Sequence, residues 1–364
     1  MGAEVEAVAL HRCGSHPEPV SRPRVARTRK GGLAVIDVHC HVLDPQAERL
    51  AEGLPERPVA GPTPGTAAGW TADYNRRLIE TAYRPRLTDL SARLADMDAM
   101  GVDLQILSPS PTQYYYWAGP EAAEALVLRQ NEGIAELCAR HPDRLAGLAT
   151  VSLQHPERAA AQARHAIREL GLKGVEISTL VGADPVDAPR FDPFWSAMND
   201  LGAPVLLHPL GTTLGSRLDD HYLSNIIGQP AETAVALSRL IMGGHLDRFD
   251  AVRICAVHGG GYLPLYAGRS DHAWSVRPES CGCLQPPSAY LKRLWFDSLV
   301  YDPAHLRRLI DVVGADRVVV GTDYPFDMGD YDPVGLIRSV EGLSPAERDA
   351  ILSGNAIRLF GLEA

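Results

Sequence analysis

The chain has 364 residues, 45% of them apolar, enough to bury a large core. Thirty-five Lys and Arg against 45 Asp and Glu give a net charge of −10, so no bulk attraction draws it to nucleic-acid phosphates or anionic membranes. No apolar run reaches the roughly 18 residues of a membrane span.

Residues 1–30 carry Arg22, Arg24, Arg27, Arg29 and Lys30 with no apolar stretch behind them. They read as a flexible N-terminal arm, not as a secretory signal. Residues 31–364 read as one domain. The cysteines (Cys13, Cys40, Cys138, Cys255, Cys281 and Cys283) are too few for a disulfide framework in a chain this long. Three of them sit in apolar runs, where Cys acts as a small buried hydrophobe. A cytoplasmic protein is expected.

Short β-branched runs then alternate with helical patterns. The predicted strands are 33–42, 103–109, 145–151, 173–178, 204–208, 252–258, 294–299 and 317–323. Amphipathic stretches lie between them at 87–100, 120–140, 156–170, 190–201, 230–242 and 303–313. Alternation of this kind implies βαβ units and a parallel sheet. Eight units fit a closed (β/α)₈ TIM-type barrel, and no strand is followed by a glycine-rich phosphate loop. Two stretches depart from a minimal barrel: an excursion over 45–78 after strand 1, rich in Pro, Gly and Ala, and another over 262–292 after strand 6.

The polar residues fall at strand ends. In Asp37-Val38-His39-Cys40-His41 a strict period of two puts Asp37, His39 and His41 on one face, with Ile36, Val38, Cys40 and Val42 on the face toward the helices. His208 closes LLHP, His258 closes AVHGGG and Asp323 closes GTDYPF. Barrels build their active sites at these C-terminal strand ends. Three imidazoles (His39, His41, His208) and the Asp323 carboxylate suit Zn²⁺, with water completing the shell; Mn²⁺ is the alternative. His258 is better used as an acid–base group, since imidazole titrates close to neutrality. Strand 4 offers Glu176 and Ser178 but no lysine after Lys173, so one metal ion per chain is predicted.

This constellation resembles the amidohydrolase superfamily, in the branch typified by α-amino-β-carboxymuconate-ε-semialdehyde decarboxylase. The motifs that carry the resemblance are IDVHCH (36–41), LADMDAMGVDLQILS (94–108), PVLLHP (204–209), AVHGGGYLPLYAGR (256–269), YLKRLWFDSLVYDP (290–303) and VVVGTDYPFDMGD (318–330). The resemblance implies His39, His41, His208 and Asp323 as ligands, with His258 and Asp323 at the chemistry. Arg269 and Arg277 match arginines that bind substrate carboxylates, and Arg269 matches one that enters a neighbouring subunit's site, which implies a homodimer. Phe326 is expected as a pocket wall. Tyr222 stands where the family has a tryptophan, and Arg84 and Arg86 lie near, but not in register with, a further family arginine. The run Tyr114-Tyr115-Tyr116-Trp117 offers aromatics that could stack on a flat substrate.

The function expected is metal-dependent, non-oxidative decarboxylation of a small unsaturated or aromatic carboxylic acid. In family-style chemistry His258 takes a proton from metal-bound water. A hydrolase or hydratase on the same mononuclear site is the alternative. A non-catalytic barrel would have lost a ligand or His258, and none is lost.

Overall fold

The computed structural model describes residues 35–57 and 69–363. The expected arm over 1–30 and part of the first excursion lie outside them. Eight parallel strands form the frame: β1 Ile36–Val42, β2 Leu104–Pro109, β3 Leu145–Gly147, β4 Val175–Ile177, β5 Pro204–Leu207, β6 Arg253–Ala256, β7 Trp295–Asp297 and β8 Val318–Val319. They pair as β1–β2–β3 and as β4–β5–β6–β7–β8. Two seams close the ring. Val38 N–H donates to the Val320 carbonyl at 2.9 Å and His41 N–H to that of Tyr324 at 2.8 Å. Ala149 N–H donates to Gly174 at 2.9 Å and Glu176 N–H to Ala149 at 2.8 Å. A sheet closed in this way has no free edge. The eight-stranded barrel is as expected, although the ladders are shorter than the apolar runs suggest.

The helices follow their sequence signals. Asp89 caps Leu90–Met100 through the N–H groups of Ser91 and Ala92, and Gly101 ends it at φ 72°. Asp302 caps Pro303–Val313 in the same manner. Both excursions contain more helix than their composition suggests. The first holds Pro45–Glu52 and Gly69–Leu78, with Arg84–Thr88 just beyond it; the second holds Leu263–Val276 and Pro287–Leu291. Proline hid several of these helices, because it sits in their first turn, where no intrahelical N–H is needed.

Two apolar layers hold the barrel. The larger lies between sheet and helices and includes Cys40, Val42, Ile177, Val205, Leu207, Ile254 and Val318. The smaller fills the barrel interior with Ile36, Val38, Leu104, Ile106, Leu206, Cys255 and Val319, plugged by Ala356, Leu359 and Phe360 of the last helix. This division corrects the strict alternation read for β1. Ile36 and Val38 face inward while Cys40 and Val42 face the helices, because the β1–β2 register shifts between Asp37 and Cys40. A one-residue irregularity inverts the faces of everything beyond it. His39 and His41 therefore point into the barrel above the apolar plug, and Asp37 points outward.

Candidate metal centre and active site

β1 supplies two imidazoles, the end of β5 supplies His208, and the segment after β8 supplies Asp323. Each offers one ligand atom, and the four atoms lie within 4.8 Å of one another. Asp323 Oδ1 stands 3.4 Å from His39 Nε2 and 3.2 Å from His41 Nε2. All four residues are buried. His39 Nε2, His41 Nε2, both ring nitrogens of His208 and Asp323 Oδ1 have no hydrogen-bond partner. Leaving several polar atoms buried and unpartnered costs about 1–3 kcal/mol each, a cost that one cation at their focus removes. Three nitrogens and a carboxylate oxygen suit a zinc-like divalent ion and admit manganese.

The electrostatics point the same way. Burial opposes a charged His39, yet the Asp323 and Asp297 carboxylates pull it up to about 10. Asp323 is held well below the usual carboxylate range: burial works against this, but the positive charge of His39 and the close approach of the His258, His39 and His41 rings outweigh it. Burial, reinforced by His41 and His39, drives His208 well below its ordinary value. The carboxylates demand positive charge here, and three imidazoles crowded together cannot all supply it.

His39 is fixed from behind. Its Nδ1 lies 2.7 Å from Asp297 Oδ2, and Asp297 Oδ1 accepts the N–H of Gly259 at 2.7 Å. Sequence reasoning assigned Asp297 no role, although a carboxylate between Phe296 and Leu299 in an apolar strand is itself a signal, since burying it requires partners. Gly259 belongs to the HGGG turn, where Gly261 has φ 64° and a Cβ would overlap the Pro230 carbonyl. That tight turn sets His258 beside the four-residue cluster and outside it. Its Nε2 is 3.8 Å from Asp323 Oδ2, its side chain is 16% exposed, and its ring centroid is 5.2 Å from that of His39.

The rim is aromatic. Phe326 lies 5.4 Å from the His41 ring and 5.3 Å from that of Tyr83, which comes from the helical turn just after the first excursion. Tyr222 is half-buried, and burial with the Asp327 and Asp323 carboxylates pushes its phenol up. The predicted arginines are not brought to the cluster. Arg269 is exposed on Leu263–Val276 with no carboxylate within 4.0 Å among the described residues, and Arg277, at the end of that helix, pairs with Glu279. Arg84 pairs with Glu48 and Arg86 with Asp96. The aromatic run after β2 does not form a stacking platform either: Tyr114 is buried against Tyr116, and Tyr115 packs with Trp117 beside Pro45–Glu52.

Residues 36–362 match the amidohydrolase family model. The chain belongs to the amidohydrolase family. Among relatives of this amidohydrolase, 2-amino-3-carboxymuconate-6-semialdehyde decarboxylase of Dictyostelium discoideum is 35% identical over 277 residues, 76% of this chain and 77% of the relative. Gamma-resorcylate decarboxylase of Rhizobium radiobacter is 30% identical over 302 residues, 76% of this chain and 89% of the relative. The crystal structure of 5-carboxyvanillate decarboxylase from Novosphingobium aromaticivorans, complexed with manganese and 4-hydroxy-3-methoxy-5-nitrobenzoic acid, superposes with a TM-score of 0.79 at 25% identity, covering 91% of this chain and 97% of that one. The amidohydrolase thus falls in the decarboxylase branch of its family, as a carboxy-lyase.

Proposed function

We propose that this amidohydrolase removes CO₂, without oxidation, from a small unsaturated or aromatic carboxylic acid at a mononuclear metal site. The observation that carries the reading is the buried set of unpartnered ligand atoms on His39, His41, His208 and Asp323. These four would hold one cation per chain, zinc by donor type, with manganese as the alternative that solved relatives contain. The bound cation supplies Lewis-acid polarisation of substrate oxygens.

The chain's own residues do the rest. The net reaction exchanges a C–CO₂⁻ bond for a C–H bond. CO₂ departs, its bonding electron pair stays on carbon, and one proton must reach that carbon. His258 Nε2, facing Asp323 Oδ2 and partly exposed, is placed to hold and deliver that proton with Asp323 as its partner. Phe326 packs edge to face on Tyr83 beside His41, and Tyr222 sits within electrostatic reach of Asp323, an aromatic rim that suits a planar acid.

Arg269 and Arg277 are the groups we assign to the substrate carboxylates. Arg269 lies on a helix face with Tyr262, Leu265, Tyr266 and Val276, all exposed. Helical spacing aligns these residues, and an apolar face around a cation with no carboxylate partner among the described residues suits a contact with a second copy. We therefore place Arg269 across a homodimer interface, in the partner's site. The free thiols of the described cysteines fit the cytoplasm, and no described helix is long and apolar enough to cross a membrane.

A panel of carboxylated muconates, hydroxybenzoates and heteroaromatic acids tests the reading, scored by mass for CO₂ loss and for water addition. CO₂ release from protein holding about one metal per chain is expected. Water addition without CO₂ release would overturn it in favour of a hydratase or hydrolase at the same site.

A further inference from the structure

The aromatic run after β2 and the lone acid of β4 meet inside the barrel. Tyr114 is 3% exposed and stacked on Tyr116, with ring centroids 5.4 Å apart and planes 13° from parallel. Its hydroxyl donates to Glu176 Oε1 at 2.9 Å. Glu176, at the centre of β4, is fully buried, and its second oxygen, Oε2, has no hydrogen-bond partner. That oxygen stands 4.0 Å from His41 Nδ1. Ser108 Oγ lies 3.3 Å from the same nitrogen and donates to the Cys40 carbonyl at 3.0 Å, which leaves its lone pairs toward the imidazole. The Pro109 carbonyl is also 3.3 Å from Nδ1.

We infer that Glu176 and Tyr114 are positioning residues for the metal centre: Tyr114 anchors the Glu176 carboxylate, which holds the Nδ1 side of His41 so that Nε2 is presented to the cation. This rests on the metal-site reading above. The physical case begins with cost. A buried carboxylate with one oxygen unpartnered is expensive, and a well-packed apolar residue at position 176 would serve the fold better. The arrangement makes sense where a divalent cation adds positive charge nearby and where a carboxylate behind an imidazole raises its basicity as a ligand. His39 has the same kind of support from Asp297 at 2.7 Å. His208 has none, since neither of its ring nitrogens has a partner. Both β1 imidazoles are thus backed by a carboxylate, one directly and one at longer range with Ser108 alongside.

The test uses Glu176→Gln, which keeps the shape and removes the charge, and Tyr114→Phe, which keeps the ring stack and removes one hydroxyl. Zn²⁺ affinity is measured by chelator competition, the visible spectrum of the Co²⁺-loaded protein reports ligand geometry, and melting of the metal-free protein reports the fold. Glu176→Gln should weaken Zn²⁺ binding by roughly 10–100-fold, and Tyr114→Phe by about tenfold or less, the usual range for outer partners of a metal ligand. Both should shift the Co²⁺ bands while the metal-free melting midpoint holds. Wild-type Zn²⁺ affinity and an unchanged Co²⁺ spectrum in both variants would overturn the inference, whatever happens to the melting midpoint. His41→Ala separates the two levels. If it loses the metal while the other two variants bind normally, only the positioning role fails; if it retains full affinity, the metal-site reading itself fails.

Discussion

His258 and Asp323 both adopt left-handed backbone, with φ of 55° and 57°. Non-glycine residues avoid this region, at a cost of order 1–3 kcal/mol each, and it is held only where surrounding structure insists on it. For Asp323 the insistence comes from its own N–H, which donates to the His39 carbonyl at 2.7 Å and ties the carboxylate to the ligand strand. For His258 it comes from the glycines that follow, which press the turn against Phe296 and Pro230. Beside the cluster and not inside it, His258 should be dispensable for metal binding. His258→Ala is expected to retain its metal and lose about 10²–10⁴-fold in rate, the usual scale of acid–base catalysis. His208→Ala should emerge metal-poor. A metal-free His258→Ala protein, seen by elemental analysis, would reverse these roles.

At the scale of elements, β1 is locked as much by side chains as by its ladder. Arg93, buried on Leu90–Met100, donates to Gln105 Oε1 at 2.8 Å and to the His41 carbonyl. Gln105 donates in turn to Asp37 Oδ2 at 2.9 Å, which also accepts the Thr322 hydroxyl at 2.7 Å. Asp37, the residue the period-2 reading placed beside the histidines, instead ties β1 to β2 and to the segment carrying Asp323. A second element shows how burial sets acid sensitivity. His245 opens the short helix His245–Arg248 and packs against Trp195 and Phe249. Burial, reinforced by Arg248 and only partly opposed by Asp192 and Asp187, lowers it to about 4. Between that value and about 6.5 the unfolded chain binds a proton that the fold refuses, so stability rises with pH across the window. Its contribution is complete above about pH 6.5 and is lost as pH falls toward 4. Urea titrations of wild type and His245→Gln at several pH values should diverge below pH 6.5 by up to roughly 3 kcal/mol, the wild type losing more. Parallel curves would contradict the assignment.

At the scale of the whole molecule, the described residues of one chain lack a component that the proposed chemistry calls for. Among the described residues the rim is built of aromatic rings and carboxylates, and the arginines near it are paired or point elsewhere. A substrate carboxylate needs a cation besides the metal, and the exposed Arg269 face is our candidate source, in a second copy. Subunit exchange tests this. Arg269→Ala and His258→Ala dimers should each be nearly inactive. In a hybrid dimer one site carries both changes and the other neither, so each hybrid should recover about half of the wild-type activity, one intact site of two. Hybrids as inactive as their parents would show that Arg269 acts within its own chain.

Much of this was readable in advance. Apolar periodicity is a local property, so the eight strands, the helices between them and the closed barrel follow from residues near one another in the chain. The candidate site was legible for a related reason: in a barrel all C-terminal strand ends share one mouth, so His39, His41, His208 and Asp323, with His258 beside them, converge wherever the strands form. What only the tertiary structure decided depends on partners far apart in sequence. The register shift in β1 rotates Asp37 out and the histidines in, and it is set by pairing with β2, not by the residues of β1 alone. The carboxylate behind His39 comes from Asp297, 258 residues away. Tyr114 turns from an expected substrate platform into a buried donor to Glu176 because the fold brings the acid of β4 to its hydroxyl. Periodicity states which face a side chain takes; which charge or hydroxyl meets it there is settled only when distant strands close on one another.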